Sequence, residues 1–215
     1  MQRNQENVFW ESLNDKEKLK KDFILVCYFI TVYENFKNNY EREILSFTAD
    51  SVSYKDKEKP TYKYVIPNPN NPNAIEDNDF IKTEEMPKEI RKEIYGTIKT
   101  KKGKNDRTAS LFNWLLSQKI IEQQHYDNLL KIRTLRNELV HELDNLLYNG
   151  LPNNLAEMLK ELLEIRKYAS KQWFVSIEMP IQGLDIYDTN GKQIIPEVYD
   201  GSNIVYDLIF NTILR

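Results

Sequence analysis

The chain of 215 residues has a single cysteine, Cys27, so no internal disulfide can hold it together. Cys27 lies in the apolar run at 23–30, where a small buried side chain is expected rather than a reactive thiol. That run is the longest apolar stretch and falls well short of the roughly 18 to 20 residues that span a membrane. The first residues also lack the apolar stretch of a signal peptide, so a cytoplasmic protein with no membrane partner is expected. Neither sign of charge dominates: 30 Lys and Arg face 33 Asp and Glu, a net charge of -3. Such a balance argues against a protein that coats nucleic acid non-specifically, because that binding relies on broad neutralisation of phosphates, but it leaves local recognition of RNA open.

What the chain does have is a globular composition. It is 40% hydrophobic and 29% charged, with 13 tyrosines, nine phenylalanines and three tryptophans. This length can bury a core without disulfides or metals, and a single domain over 1–215, with a sizeable insertion, is the default.

Asn14-Asp15 reads as the cap of a helix over 16–47, with Leu19, Phe23, Val26, Cys27, Ile30, Tyr33 and Tyr40 near helical spacing. Its middle is apolar on nearly all sides, which predicts a central position. From 50 to 106 the texture changes to prolines and asparagines, an insertion expected to have little regular core. Within it a short strand is expected at 61–66 and a short helix at 88–95, followed by the basic run 99–104 and Arg107. A capped helix over 108–117 leads to a long helix over 123–148, stopped by Asn149-Gly150 and Pro152. Another runs from 153 or 154 to about 176. Segment 181–215 is expected to hold a hairpin turning at Asn190-Gly191, and then a terminal element over 203–214 that periodicity leaves open between helix and strand. The fold class is therefore mainly α: an up-down helical bundle with an irregular insertion and a small C-terminal β-hairpin.

On a wheel of about 100° per residue with Leu129 at zero, Ile132, Leu135, Leu139, Val140, Leu143, Leu146 and Leu147 fill an arc from about 240° to about 20°. Arg136 falls at about 340°, inside that apolar arc, where a permanent charge is costly unless paired or turned to a solvated seam. Asn137 and His141 are neighbours at i, i+4 on its flank. A guanidinium gives fixed donors to phosphate oxygens, and imidazole exchanges protons near neutrality, so this trio suits a phosphodiester without a metal or other cofactor. On the residues alone, Arg136 could equally pair with Glu138, Glu142 or an acid on another helix, and His141 could serve only a hydrogen bond at the bundle edge.

The segment Leu135-Arg136-Asn137-Glu138-Leu139-Val140-His141-Glu142 resembles the signature of the HEPN superfamily: an Arg, a polar residue, and a His a turn or more later, near the end of a bundle helix. Residues 107–176 resemble bacterial abortive-infection-like and toxin-like members, with 14–47 as the first bundle helix. The resemblance implies a HEPN-like bundle and a homodimer whose paired motifs form a composite site. It implies RNA cleavage by attack of the 2′-hydroxyl on the adjacent phosphate, in a toxin or phage-defence effector that an antitoxin protein could restrain. The catalytic residues it implies are His141 as general acid or base, Arg136 on the scissile phosphate and Asn137 as an orienting group. Where one branch carries a Tyr that is adenylylated, two positions after the His, this chain has Leu143, so that control is not expected. A module of the same fold that binds RNA, a nucleotide or a partner protein without cutting is the alternative.

Other candidates are weaker. Lys101, Lys102, Lys104 and Arg107 could touch RNA, although a solvated loop explains such a run as well. Tyr54, Tyr62 and Tyr64, interleaved with lysines, could stack on single-stranded RNA or simply form a half-exposed strand. His125 reads as an exposed residue at a helix start, and Asp185, Asp188 and Asp200 as turn residues.

Overall fold

A computed structural model of the chain describes residues 15–56, 59–67, 80–141, 150–183 and 201–213. The elements in order are α1 (Lys16–Thr48), β1 (Ser51–Asp56), β2 (Lys59–Pro67), β3 (Phe80–Thr83), α2 (Lys88–Tyr95), α3 (Arg107–Ser117), α4 (Gln123–His141), α5 (Leu155–Trp173) and α6 (Gly201–Ile213). They make a mainly helical bundle with a small, open three-stranded sheet. The chain divides into two compact units, Met1–Phe36 with Leu115–Arg215, and Lys37–Trp114.

In the first unit, α1 starts where its cap predicts: Asp15 Oδ1 accepts a hydrogen bond from Lys18 N at 3.0 Å. Val26, Phe29, Val32, Tyr33 and Phe36 form its buried stripe. Cys27, expected inside, is exposed, as are Phe23 and Ile24. These three lie on the other side of the helix from the stripe, so only one face is covered and α1 is not the central helix its composition suggests.

Helix α4 buries Leu129, Ile132, Leu135 and Leu139, while Val140, at the edge of the predicted arc, is exposed. Helix α5 buries Leu155, Leu159, Leu162, Ile165, Ala169 and Trp173 at spacings of three and four, and packs on α4 and α6. The seams are tied by polar groups. Tyr168 Oη donates to Glu122 at 2.8 Å, Asn128 Nδ2 donates to Glu161, and the buried Arg166 Nε donates to Asn203 Oδ1 at 2.7 Å. Tyr206 on α6 meets α1, accepting from Asn35 Nδ2 at 2.5 Å through its hydroxyl and from Tyr28 Oη through its carbonyl.

Beyond α5 the helix widens into a π turn, Phe174–Glu178, and finishes as Met179–Gln182 against Gly183, whose φ of 64° is a left-handed cap. Pro180 has no N–H to give to the turn before it, in keeping with a π stretch at this place. The helix thus runs past the expected end near 176. The expected hairpin falls mainly on 184–200, outside the described residues, whereas the terminal element resolves as the helix α6. The end expected for α4 near 148 also lies outside them.

The second unit replaces the expected irregular insertion with regular structure. Strands β1, β2 and β3 pair antiparallel in that order, with Ser51 opposite Lys63 and Tyr64 opposite Thr83. The alternation in 61–66 announces β2; its partners β1, as near in sequence as Asp56 opposite Lys59, and β3 are additions to that expectation. Helix α2 has the predicted bounds and buries Ile94 and Tyr95. Asp106 Oδ1 accepts from Ala109 N at 3.1 Å at the start of α3, which buries Leu111, Phe112 and Trp114. The basic run closes as a tight turn through a bridge between Lys99 and Asn105.

Candidate functional site

Arg136 occupies the position the wheel assigns, directly after the buried Leu135, and its guanidinium emerges at the edge of the α4 stripe. It is paired. Nη2 lies 2.5 Å from Glu34 Oε1 on α1, and Nη1 donates to Asn137 Oδ1 at 3.1 Å. The arginine side chain is 24% exposed and that of Glu34 26%, so the pair sits at a seam, neither sealed in the core nor free in water. The remaining guanidinium donor, Nε, is buried without a hydrogen-bond partner among the described residues.

Asn137 and His141 are exposed on α4 one turn apart. The structure therefore brings Arg136 and Asn137 into direct contact and leaves His141 open to solvent at the last described residue of the helix. No hydrogen bond or ion pair joins His141 to Arg136 or Asn137 among the described residues. Of the partners open to Arg136 on sequence alone, an acid on another helix is found, while Glu142 lies outside the described residues. Glu34 was not foreseen, because the only signal for it was the need of a stripe arginine for an anion.

The basic candidates lie in the second unit. Lys101, Lys102 and Lys104 are exposed in the turn closed by Lys99 and Asn105. Arg107, the first residue of α3, is held: it pairs with Glu41, and its guanidinium carbon stands 4.2 Å from the centre of the Tyr95 ring. Burial, and then the nearby Glu41 charge, push the Tyr95 hydroxyl above the ordinary tyrosine range.

His125 is a structural histidine. Its Nδ1 accepts from Glu122 N at 3.3 Å, at the entry to α4, and its ring centre lies 4.6 Å from that of Tyr168. Among the described residues no group of three or more His, Cys, Asp and Glu could hold a metal ion. No family model, curated protein or solved structure matches the chain.

Proposed function

We propose that this chain is a metal-independent endoribonuclease of HEPN type, acting as a homodimer, with Arg136, Asn137 and His141 in its active site. The observation that carries the reading is the seam position of Arg136, fixed by Glu34 and Asn137, on the helix that leaves His141 exposed. The 2′-oxygen of one nucleotide attacks the adjacent phosphorus while the bond from phosphorus to the 5′-oxygen breaks. A base takes the 2′-proton and an acid supplies one to the departing oxygen. A single exposed imidazole serves one of these roles in any one state, so two copies of His141 across a two-fold axis supply both. Arg136 carries the charge that grows on the non-bridging oxygens.

Engaging a phosphate requires Arg136 to leave Glu34, and because both side chains are about a quarter exposed the exchange gives up on the order of 0 to 1 kcal/mol. Cleavage of a strand carrying a deoxynucleotide on the 5′ side of the cut tests the route. The 2′-hydroxyl mechanism predicts no product from it and a 2′,3′-cyclic phosphate end from the all-ribose strand; cutting of the deoxy strand sinks the proposal. In the cell such an activity fits a toxin or phage-defence effector restrained by an antitoxin protein.

One observation favours a second reading, a helical module that binds RNA or a partner without cutting. The same ion pair can be purely architectural, tying α1 to α4. Under that reading Glu34→Gln and Arg136→Ala shift stability alone and no strand is cut.

A further inference from the structure

The second unit contains a cleft of about 780 Å³, in the size range of about 300 to 1,000 Å³ typical of small-ligand sites. Its lining is unusual for a surface hollow in two respects. Tyr62 and Tyr64 stand two residues apart on β2, hence on one face of the sheet; Tyr64 and, from α2, Tyr95 are buried at the base of the cleft, and the half-buried Tyr62 offers it an accessible ring. The same cleft carries two guanidinium groups, Arg91 and Arg107, and two adjacent carboxylates, Glu84 and Glu85. Arg107 is already oriented by Glu41 and by the Tyr95 ring, while Arg91 is exposed with no ion pair among the described residues.

A ligand matching these groups needs a flat ring for Tyr62, an anion for the arginines and N–H donors for the carboxylates. A nucleotide has all three, and among the common bases guanine offers a carboxylate two parallel donors, on N1 and on the 2-amino group. We infer that this cleft is a nucleotide site with a preference for guanine: the base stacks on Tyr62 and donates to Glu84 or Glu85, and its phosphate is held by Arg91 and Arg107. The nucleotide can be free or part of an RNA strand. Asn105 also lines the cleft, and the turn it closes carries Lys101, Lys102 and Lys104, which would meet the neighbouring phosphates of a strand. The inference stands on this cleft and not on Arg136, so either can fail without the other.

Calorimetric titration of the full chain with guanosine 5′-monophosphate, uridine 5′-monophosphate, guanosine and a short guanine-containing oligoribonucleotide tests it. Either the guanine nucleotide or the oligomer binds, more tightly than the uridine nucleotide or an oligouridylate. Removing the phosphate, or the change Arg91→Ala, weakens binding by about tenfold or more, and Tyr62→Ala does likewise. The double change Glu84→Gln with Glu85→Gln erases the preference for guanine. These side chains are not buried, and circular dichroism checks that the variants stay folded. Binding of the mononucleotide identifies a free nucleotide as ligand, and binding of the oligomer alone identifies RNA. No binding of either, or binding that Arg91→Ala and Tyr62→Ala leave unchanged, overturns the assignment.

Discussion

A single charged side chain in an apolar stripe organises the candidate site. Arg136 is placed by the register of α4, and it is stabilised there by Glu34, which joins an acid of α1 to a base of α4. Because both groups are partly solvated, the pair contributes on the order of 0 to 1 kcal/mol rather than the larger figure of a sealed ion pair. Glu34→Gln keeps an oxygen that can accept from Nη2, so urea denaturation should show a loss below about 1 kcal/mol. Arg136→Ala and His141→Ala should each lower RNA cleavage by about a hundredfold or more. His141 is exposed, so its replacement should leave the thermal midpoint nearly unchanged. The oddity of Arg136 was legible in the sequence because helical periodicity is a local property. Its partner was not, because the meeting of Glu34 with Arg136 depends on how two helices pack.

For the elements, the helices declared themselves wherever a cap or a clean stripe was present. Asp15 caps α1 as expected, Asp106 caps α3, which starts at Arg107, one residue ahead of the expected 108, and the leucines of α5 mark its buried face. Leu162 is fully buried in that face, and Leu162→Ala should cost about 2 to 5 kcal/mol in a chemical denaturation series, through lost transfer energy and the cavity left behind. A loss under about 1 kcal/mol would mean that α5 is not the core helix described. Composition misled at α1, where apolar residues on every side predicted a central helix and the structure leaves Phe23, Ile24 and Cys27 exposed. It misled again at 50–106, where prolines and asparagines pointed to irregular chain and the structure has three strands paired in sequence order. The choice between helix and strand over 203–214 was settled by partners: Asn203 meets Arg166, and Tyr206 meets Tyr28 and Asn35.

Across the whole molecule, two units each hold a tyrosine whose ionisation the fold suppresses. Burial, followed by the neighbouring Tyr206 and Asp207, raises Tyr28 in the first unit, and burial followed by Glu41 raises Tyr95 in the second. Lys167 is also raised, chiefly by its hydrogen bond to Asp207 at 2.9 Å. The folded state therefore keeps protons that the unfolded chain has lost at alkaline pH. Stability from these groups is complete below the ordinary tyrosine and lysine ranges and declines as pH rises through them toward the raised folded values. Thermal midpoints should fall steadily from about pH 9 to about pH 11. A midpoint flat across that window would contradict the burial assigned to Tyr28 and Tyr95. The second unit contains the insertion expected at 50–106, and its limits fall inside α1 and α3, which carry no break in sequence there.

Arg136 and His141 are proposed to cut RNA without a metal. Incubating the purified full chain with single-stranded RNA in excess EDTA, beside His141→Ala and Arg136→Ala proteins of unchanged circular dichroism, tests it most directly. Cleavage by the unaltered chain and its loss in both variants is the predicted result. Cleavage that requires a divalent ion, or that persists at full rate in the folded variants, contradicts this proposal.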